Sequence, residues 1–170
     1  DFLVQFIFNN VDILLVSETK IDASFPNAQF HIAGYTIYRR DRNGNGGGLL
    51  LYVKEDIPSS LLNIDTSSEA MYIEINVRKK KWLIGCSYNP KQNMIAPHLE
   101  QVGKYLDKYL TNYDQFLLLG YMNSDPDNQN IVDFCQVYSC KNLIHQSTYF
   151  MNPQNPLCID LIITNVPKSF

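Results

Sequence analysis

Apolar runs and alternating apolar–polar segments recur along the chain, and their spacing predicts more strands than helices. The apolar run at residues 11–17 predicts a strand buried on both faces. Residues 71–77 alternate, with Met71, Ile73, Ile75 and Val77 on one face, and a turn at residues 79–81 leads into a return strand at 82–88. Further strands are predicted at residues 31–39, 49–54, 115–119 and 157–164.

Helical periodicity is clearest at residues 96–110, where Leu99, Val102, Leu106 and Tyr109 form one apolar stripe. A shorter helix is predicted at residues 130–138, and residues 1–9 resemble the end of an amphipathic helix whose beginning is absent. Helices separate some strand pairs and hairpins join others, a pattern typical of an α+β layered sandwich. We expect a single domain over residues 1–170 that is cut at both ends.

Composition places limits on the partners of this domain. The chain has 170 residues, 45% of them hydrophobic, and a formal net charge of −3, so no global basic field indicates nucleic acid. Local basic candidates are Arg39, Arg40 and Arg42, followed by the run at residues 78–81, for which a solvated hairpin turn is the favoured explanation.

The four cysteines form no C-x-x-C pair, which argues against a zinc site and favours four buried, reduced thiols. We therefore expect an intracellular protein, nuclear or cytoplasmic. Apolar runs fall far short of the roughly 20 residues that span a bilayer, so no membrane partner is expected. The glycine-rich segment at residues 43–48 lacks a G-K-[ST] motif and predicts a tight turn with positive φ rather than a phosphate-binding loop.

Polar residues that could carry chemistry stand at strand ends. Glu18 follows the first strand, Asn123 follows residues 115–119, Asp160 lies in the last strand, and Tyr88 closes a fourth. A carboxylate with water can hold Mg²⁺, which polarises a phosphoryl oxygen, and amide or phenol groups can donate to phosphate. Turn capping and packing account for each residue taken singly, so spacing alone leaves both explanations open.

Five ordered blocks resemble the endonuclease/exonuclease/phosphatase superfamily. The first is Glu18-Thr19-Lys20, similar to its E-T-K metal motif, and the others are residues 34–49, Ser87-Tyr88-Asn89-Pro90, residues 117–123 and residues 158–162. Of these, residues 117–123 resemble the L-x-G-D-F-N block and residues 158–162 the I-D-L-I strand. The resemblance is strongest to the apurinic/apyrimidinic endonuclease-like domains of non-LTR, LINE-type retrotransposons. It implies a deoxyribonuclease I-like, four-layer α/β/β/α sandwich, here incomplete at both termini.

The resemblance also implies roles for individual residues. Glu18 would ligate Mg²⁺, with Mn²⁺ as a substitute, Tyr88 and Asn123 would bond the scissile phosphate, and Asp160 would orient a catalytic histidine. Arg40 and Arg42 would contact a nucleic-acid backbone. The implied substrate is DNA, and a reverse transcriptase is expected downstream in the parent polyprotein.

The chain departs from the family pattern at three places. Tyr121 stands where the family has the aspartate that activates water, and a phenol with a pKa near ~10 is a poor base at neutral pH. The closing S-D-H block has no counterpart, and His31, His98 and His145 do not match its position. The family's first strand, with its asparagine near the metal, is also missing.

Three functions are therefore weighed. The first is a Mg²⁺-dependent DNA-nicking endonuclease in the parent protein, inactive in the present chain. The second is a non-catalytic relic or pseudoenzyme that at most binds nucleic acid. The third is a phosphatase of the same superfamily that acts on a small phosphate ester or a lipid. Weak metal binding and background cleavage are expected of the chain as it stands.

Overall fold

The computed structural model describes residues 11–63 and 67–169. Within these ranges the chain forms nine strands and two α-helices. The strands are β1 Ile13–Ser17, β2 Tyr35–Arg40, β3 Leu49–Lys54, β4 Ser59–Leu61, β5 Ala70–Val77, β6 Lys80–Tyr88, β7 Gln115–Tyr121, β8 Lys141–Asn142 and β9 Asp160–Thr164. The helices are α1 Ile95–Tyr109 and α2 Gln129–Val137.

The smaller sheet is antiparallel in the order β1-β3-β2, with Leu49 opposite both Ser17 and Arg40. Strand β1 lies at the edge of this sheet as described, and its residues are half-buried, with Val16 38% exposed. The prediction of a first strand buried on both faces was therefore wrong. The fully buried strand of this sheet is the central β3, from Leu49 to Val53.

The larger sheet has the order β4-β5-β6-β7-β9-β8. Strands β6 and β7 pair in parallel because helix α1 carries the chain back across the sheet, and the other neighbours are antiparallel. The predicted hairpin joins β5 to β6, but its turn is the residue pair Arg78-Lys79 rather than residues 79–81.

Two cores define the layers. One lies between the sheets and contains Leu51, Ile73, Ile84 and Leu117 among others, and the second lies between the larger sheet and both helices, with Leu99, Phe116, Leu118 and Phe134. The outer face of the smaller sheet packs Tyr35, Leu50 and Tyr52 against residues around Phe30. The α+β sandwich is thus confirmed; the helix predicted at residues 1–9 lies outside the described residues.

Other boundaries differ from the sequence predictions for local reasons. Strand β2 begins at Tyr35 because residues 27–30 form a 3₁₀ turn, and β9 begins at Asp160, since Leu157 only forms an isolated bridge with Tyr149. Strands β4 and β8 span three and two residues, which is too short for a periodic signal. Cys135 is only half-buried, whereas the other three thiols are buried and all four are free.

Candidate functional site

The site begins where β1 ends. Glu18 is exposed and adopts a left-handed backbone with φ of 55°, so its side chain turns away from the strand direction. The hydroxyl of Tyr88, at the end of β6, donates a hydrogen bond of 2.5 Å to Oε1 of Glu18. These residues are 70 positions apart, and the contact joins the end of the smaller sheet to the end of the larger one.

A row of three polar residues crosses the end of the larger sheet. Tyr121 of β7 is opposite Tyr88 on one side and Asp160 of β9 on the other. Residues opposite each other in a sheet share a face, so this row points toward the smaller sheet. The rings of Tyr88 and Tyr121 pack with centroids 5.5 Å apart and planes tilted by 37°.

Both phenols remain protonated at neutral pH. Burial is the largest cause that raises the pKa of Tyr88, followed by the hydrogen bond to Glu18 and the charges of Glu18 and Glu69. Burial also raises the pKa of Tyr121, with smaller contributions from the charges of Glu18 and Asp160. The two tyrosines can therefore donate hydrogen bonds, and Tyr121 cannot act as a base near pH 7.

Asn123 and Asn89 lie at the same end of the sheet. Asn123 has a left-handed backbone with φ of 49°, and its Nδ2 lies 3.5 Å from the carbonyl oxygen of Pro90. Asn89 is fully buried; its amide donates to the carbonyl of Tyr121 at 2.9 Å and its Nδ2 to that of Met122 at 2.8 Å. Asn89 therefore ties together the ends of β6 and β7, a role that its place in a resembling block did not reveal.

The candidate arginines have protein partners. Arg40 donates from Nη1 to the carbonyl of Ala70 at 2.9 Å, and Arg42 pairs with Oε2 of Glu69 at 3.2 Å. Arg39, which the sequence left as a third candidate, is bonded to Asp41, with Nη2 and Oδ2 2.6 Å apart. Arg42 keeps a side chain 46% exposed, so it retains surface for an anionic partner.

Sequence reasoning missed Glu69. Its side chain is only 13% exposed, and one carboxylate oxygen accepts a hydrogen bond from the amide of Gly48. Its own carbonyl accepts from the amide of Tyr88 at 2.9 Å, next to the phenol row. The signal available in the sequence was an acidic residue directly before the alternating strand β5.

The histidines do not join this row through any contact in the described part of the chain. His98 of α1 is buried, with Nε2 2.6 Å from the hydroxyl of Ser87, and burial lowers the pKa of its imidazole from 6.5 to about 4. His31 and His145 are exposed. No described histidine therefore stands beside Tyr88 or Asp160 as a proton donor.

The residues present fit a weakly held divalent cation. Within residues 11–63 and 67–169, the Glu18 carboxylate accepts a hydrogen bond from Tyr88 alone, and the residue is exposed to water. These same residues contain no cluster of three or more His, Cys, Asp or Glu side chains that could hold a metal. Mg²⁺ accepts such a site because it keeps most of its water ligands.

No helix in the described residues is long and apolar enough to cross a membrane.

The basic hairpin turn predicted at residues 79–81 is largely exposed, and Lys81 pairs with Glu74, with Nζ and Oε2 2.9 Å apart. The solvated-turn explanation of this basic run is therefore supported by its structure.

Comparison with solved structures identifies the fold class. The catalytic domain of human Nocturnin, with bound sulfate, superimposes with a TM-score of 0.72 and 12% identity over 96% of this chain and 72% of that one. The endonuclease domain of TRAS1, a telomere-specific non-LTR retrotransposon, gives 0.69 and 12% over 95% and 76%. The Neisseria 3′ phosphatase NExo, bound to a product DNA hairpin, gives 0.59 and 17% over 95% and 80%.

An endonuclease/exonuclease/phosphatase from Bacteroides vulgatus superimposes with a TM-score of 0.69 and 11% identity over 96% of this chain and 77% of that one. The chain therefore has the fold of that superfamily, and a retrotransposon endonuclease is among its structural neighbours. No protein-family model and no curated protein matches the sequence.

Proposed function

We propose that this chain derives from the DNA-nicking endonuclease of a non-LTR retrotransposon and has lost the cleavage step. The observation that carries the proposal is the row of Tyr88, Tyr121 and Asp160 beside Glu18. Together with Glu18, this row brings two carboxylates and a phenol that can donate a hydrogen bond to phosphate to one end of a sandwich whose fold is shared with such an endonuclease. A reverse transcriptase in the parent polyprotein belongs to the same proposal.

The proposed binding mode uses the residues in separate roles. Glu18 holds Mg²⁺ or Mn²⁺, whose chemistry when bound is to polarise the phosphoryl oxygen. The hydroxyl of Tyr88 and the amide of Asn123 donate to the phosphate oxygens. Arg40 and Arg42 face the neighbouring backbone phosphates, a contact that strengthens at low salt.

The loss of cleavage is assigned to Tyr121. Tyr121 is a neutral phenol in the position where the resemblance expects a base, and its ring packs against Tyr88. General acid–base groups typically contribute ~10²–10⁴-fold each, and groups that act as a unit do not contribute additively. Nicking is therefore expected at background level. The chain is expected to retain DNA binding without cleavage, which is the second function considered above.

Incubation of the chain with supercoiled plasmid and Mg²⁺ tests this proposal. The expected result is no relaxation above a metal-free control, together with DNA binding that weakens as salt rises. Glu18→Ala is the matched variant. Clear Mg²⁺-dependent relaxation that Glu18→Ala abolishes would contradict the loss of cleavage, and release of phosphate from a soluble ester would instead favour the phosphatase.

Tyr121→Asp alone should leave nicking near background. The substitution supplies a carboxylate, but within residues 11–63 and 67–169 no histidine stands beside Tyr88 or Asp160 to donate to the phosphate, and losing one such donor costs ~3–4 kcal/mol. Nicking is expected only when the substitution is combined with grafted first-strand and S-D-H segments of a related endonuclease. Robust activity from Tyr121→Asp alone would show that another residue fills the histidine's role.

A further inference from the structure

Glu69 makes two side-chain contacts with the glycine turn and the arginine that precedes it. Its carboxylate accepts a hydrogen bond from the amide of Gly48 through one oxygen and pairs with Arg42 through the other at 3.2 Å. The side chain is 13% exposed, so little water competes for either contact. Glu69 therefore holds the glycine turn from the side that faces the larger sheet.

The glycine turn has no room for side chains at Gly47 and Gly48. Gly47 and Gly48 have φ of 72° and 93°, values that favour glycine. A Cβ on Gly47 would lie 2.5 Å from Oε1 of Glu69, and a Cβ on Gly48 would overlap the hydroxyl of Thr19. The turn is thus enclosed between Glu69 and the segment that carries Glu18.

On its other side, the glycine turn holds the Glu18 segment by backbone bonds. The amide of Lys20 donates to the carbonyl of Gly47 at 2.9 Å, and that of Thr19 to the carbonyl of Gly48 at 3.3 Å. Glu18 and Lys20 have φ of 55° and 54°, a left-handed conformation that costs L-residues roughly 1–2 kcal/mol each. Such strain persists only where surrounding contacts determine the backbone.

We propose that Glu69 is a positioning residue for Glu18. Its carboxylate fixes the amide of Gly48, the fixed turn holds residues 18–20 in their left-handed backbone, and this backbone presents the Glu18 carboxylate beside Tyr88 to a divalent cation. The inference rests on the proposed function only in its last step, since the backbone geometry does not depend on a metal. Residues that orient a metal ligand typically affect metal affinity by ~10–100-fold.

The first arm of the test needs no metal. Backbone chemical shifts and the three-bond HN–Hα coupling of Glu18 and Lys20 report the sign of φ in the ¹⁵N,¹³C-labelled chain. Glu69→Ala and Glu69→Asp should lose the left-handed signature, because neither side chain reaches the amide of Gly48. Glu69→Gln should keep it, because its amide oxygen can accept the same hydrogen bond.

The second arm measures Mg²⁺ affinity from the shifts of the amides of residues 18–20. Glu18→Gln should abolish the saturable change, Glu69→Ala and Glu69→Asp should weaken affinity about tenfold or more, and Glu69→Gln should stay within about threefold of the unaltered chain. Glu69→Asp separates position from charge, since it keeps the negative charge but shortens the side chain by one methylene.

Glu74→Ala is the matched control. Glu74 lies on β5, has a side chain 22% exposed and pairs with Lys81 away from the site, so its loss should change neither readout. Left-handed signatures that survive in Glu69→Asp, or in a folded Glu69→Ala, would overturn the inference whatever the metal does. Binding that is absent, or that survives Glu18→Gln, would overturn the metal site of the proposed function and leave the first arm to decide the inference.

Discussion

The two ends of β5 both depend on left-handed backbone, but for different physical reasons. At its last residue, β5 turns into β6 through Arg78 and Lys79, with φ of 51° and 64° and both residues exposed. Directly before its first residue, Glu69 contacts the glycine turn that holds Glu18 and Lys20, whose φ values are nearly the same. Equal strain therefore occurs in one exposed local turn and in one packed, non-local cluster.

The left-handed residues of the hairpin and those of the Glu18 segment differ in what stabilises their backbone. Arg78 and Lys79 form a two-residue loop of type I′, in which positive φ at both positions matches the twist of the strands, so this turn follows from local closure alone. Nothing local requires a left-handed Glu18, since β1 could continue in extended conformation. The residues after Glu18 bond to the carbonyls of Gly47 and Gly48, and Gly48 in turn donates to Glu69. Backbone strain that is held by surrounding contacts is typical of functional sites.

The largest expected effect comes from filling the glycine turn. Gly48→Ala should lower the free energy of unfolding by about 2–5 kcal/mol, because left-handed strain adds to overlap with Thr19. Urea unfolding followed by circular dichroism measures this change. Gly34→Ala is the control: Gly34 has φ of 83° but no atom within 4 Å of its Cβ position, so only the strain of roughly 1–2 kcal/mol should appear. Equal losses at the two glycines would show that the site turn is not tightly packed.

The dependence of stability on pH tests the end of the larger sheet that carries the candidate site, because the buried imidazole of His98 contacts Ser87 of β6 there. The exposed hairpin turn at Arg78 and Lys79 has no histidine. His98 has a folded-state pKa of about 4 against its ordinary 6.5, so the unfolded chain binds the extra proton between these values. Stability from this group is complete above about pH 6.5, falls as the pH drops toward 4 and then levels, with a total of about 3 kcal/mol.

Chemical denaturation at several pH values measures that dependence. His98→Gln should remove the slope between pH 4 and 6.5, whereas His145→Gln, on the exposed surface, should retain it. A slope unchanged in His98→Gln would mean that another group is responsible for the acid sensitivity of this end.

The smallest effect is expected at the hairpin. Replacing Arg78-Lys79 with Asn-Gly should raise the free energy of unfolding by about 1 kcal/mol, since both residues tolerate left-handed backbone and the replaced side chains are exposed. Thermal unfolding measures the gain. Lys80→Gly, one residue further on and inside β6, should instead lower stability by roughly 0.5–1 kcal/mol. A loss from the Asn-Gly pair would mean that Arg78 or Lys79 makes a stabilising contact.

Much of the fold could be predicted from periodicity. The alternation of Met71, Ile73 and Ile75 and the stripe of Leu99, Val102 and Leu106 placed the β5–β6 hairpin and α1 within a few residues. Strand edges and short strands could not be placed this way, because β4 and β8 owe their pairing to neighbours far along the chain. The prediction for β1 was wrong for the same reason, since an apolar run does not reveal whether its strand is central or at an edge.

By itself, the sequence determined the order of the strand-end blocks and the chemical identity of their residues. It places a phenol at Tyr121 and a carboxylate at Glu18, and both facts hold in any fold. The tertiary structure alone decided that Tyr88 donates to Glu18 across 70 residues and that Glu69 holds Gly48 across 21. These contacts arise where two sheets end together, and their closeness depends on sheet order and register, which no local pattern of hydrophobic and polar residues encodes.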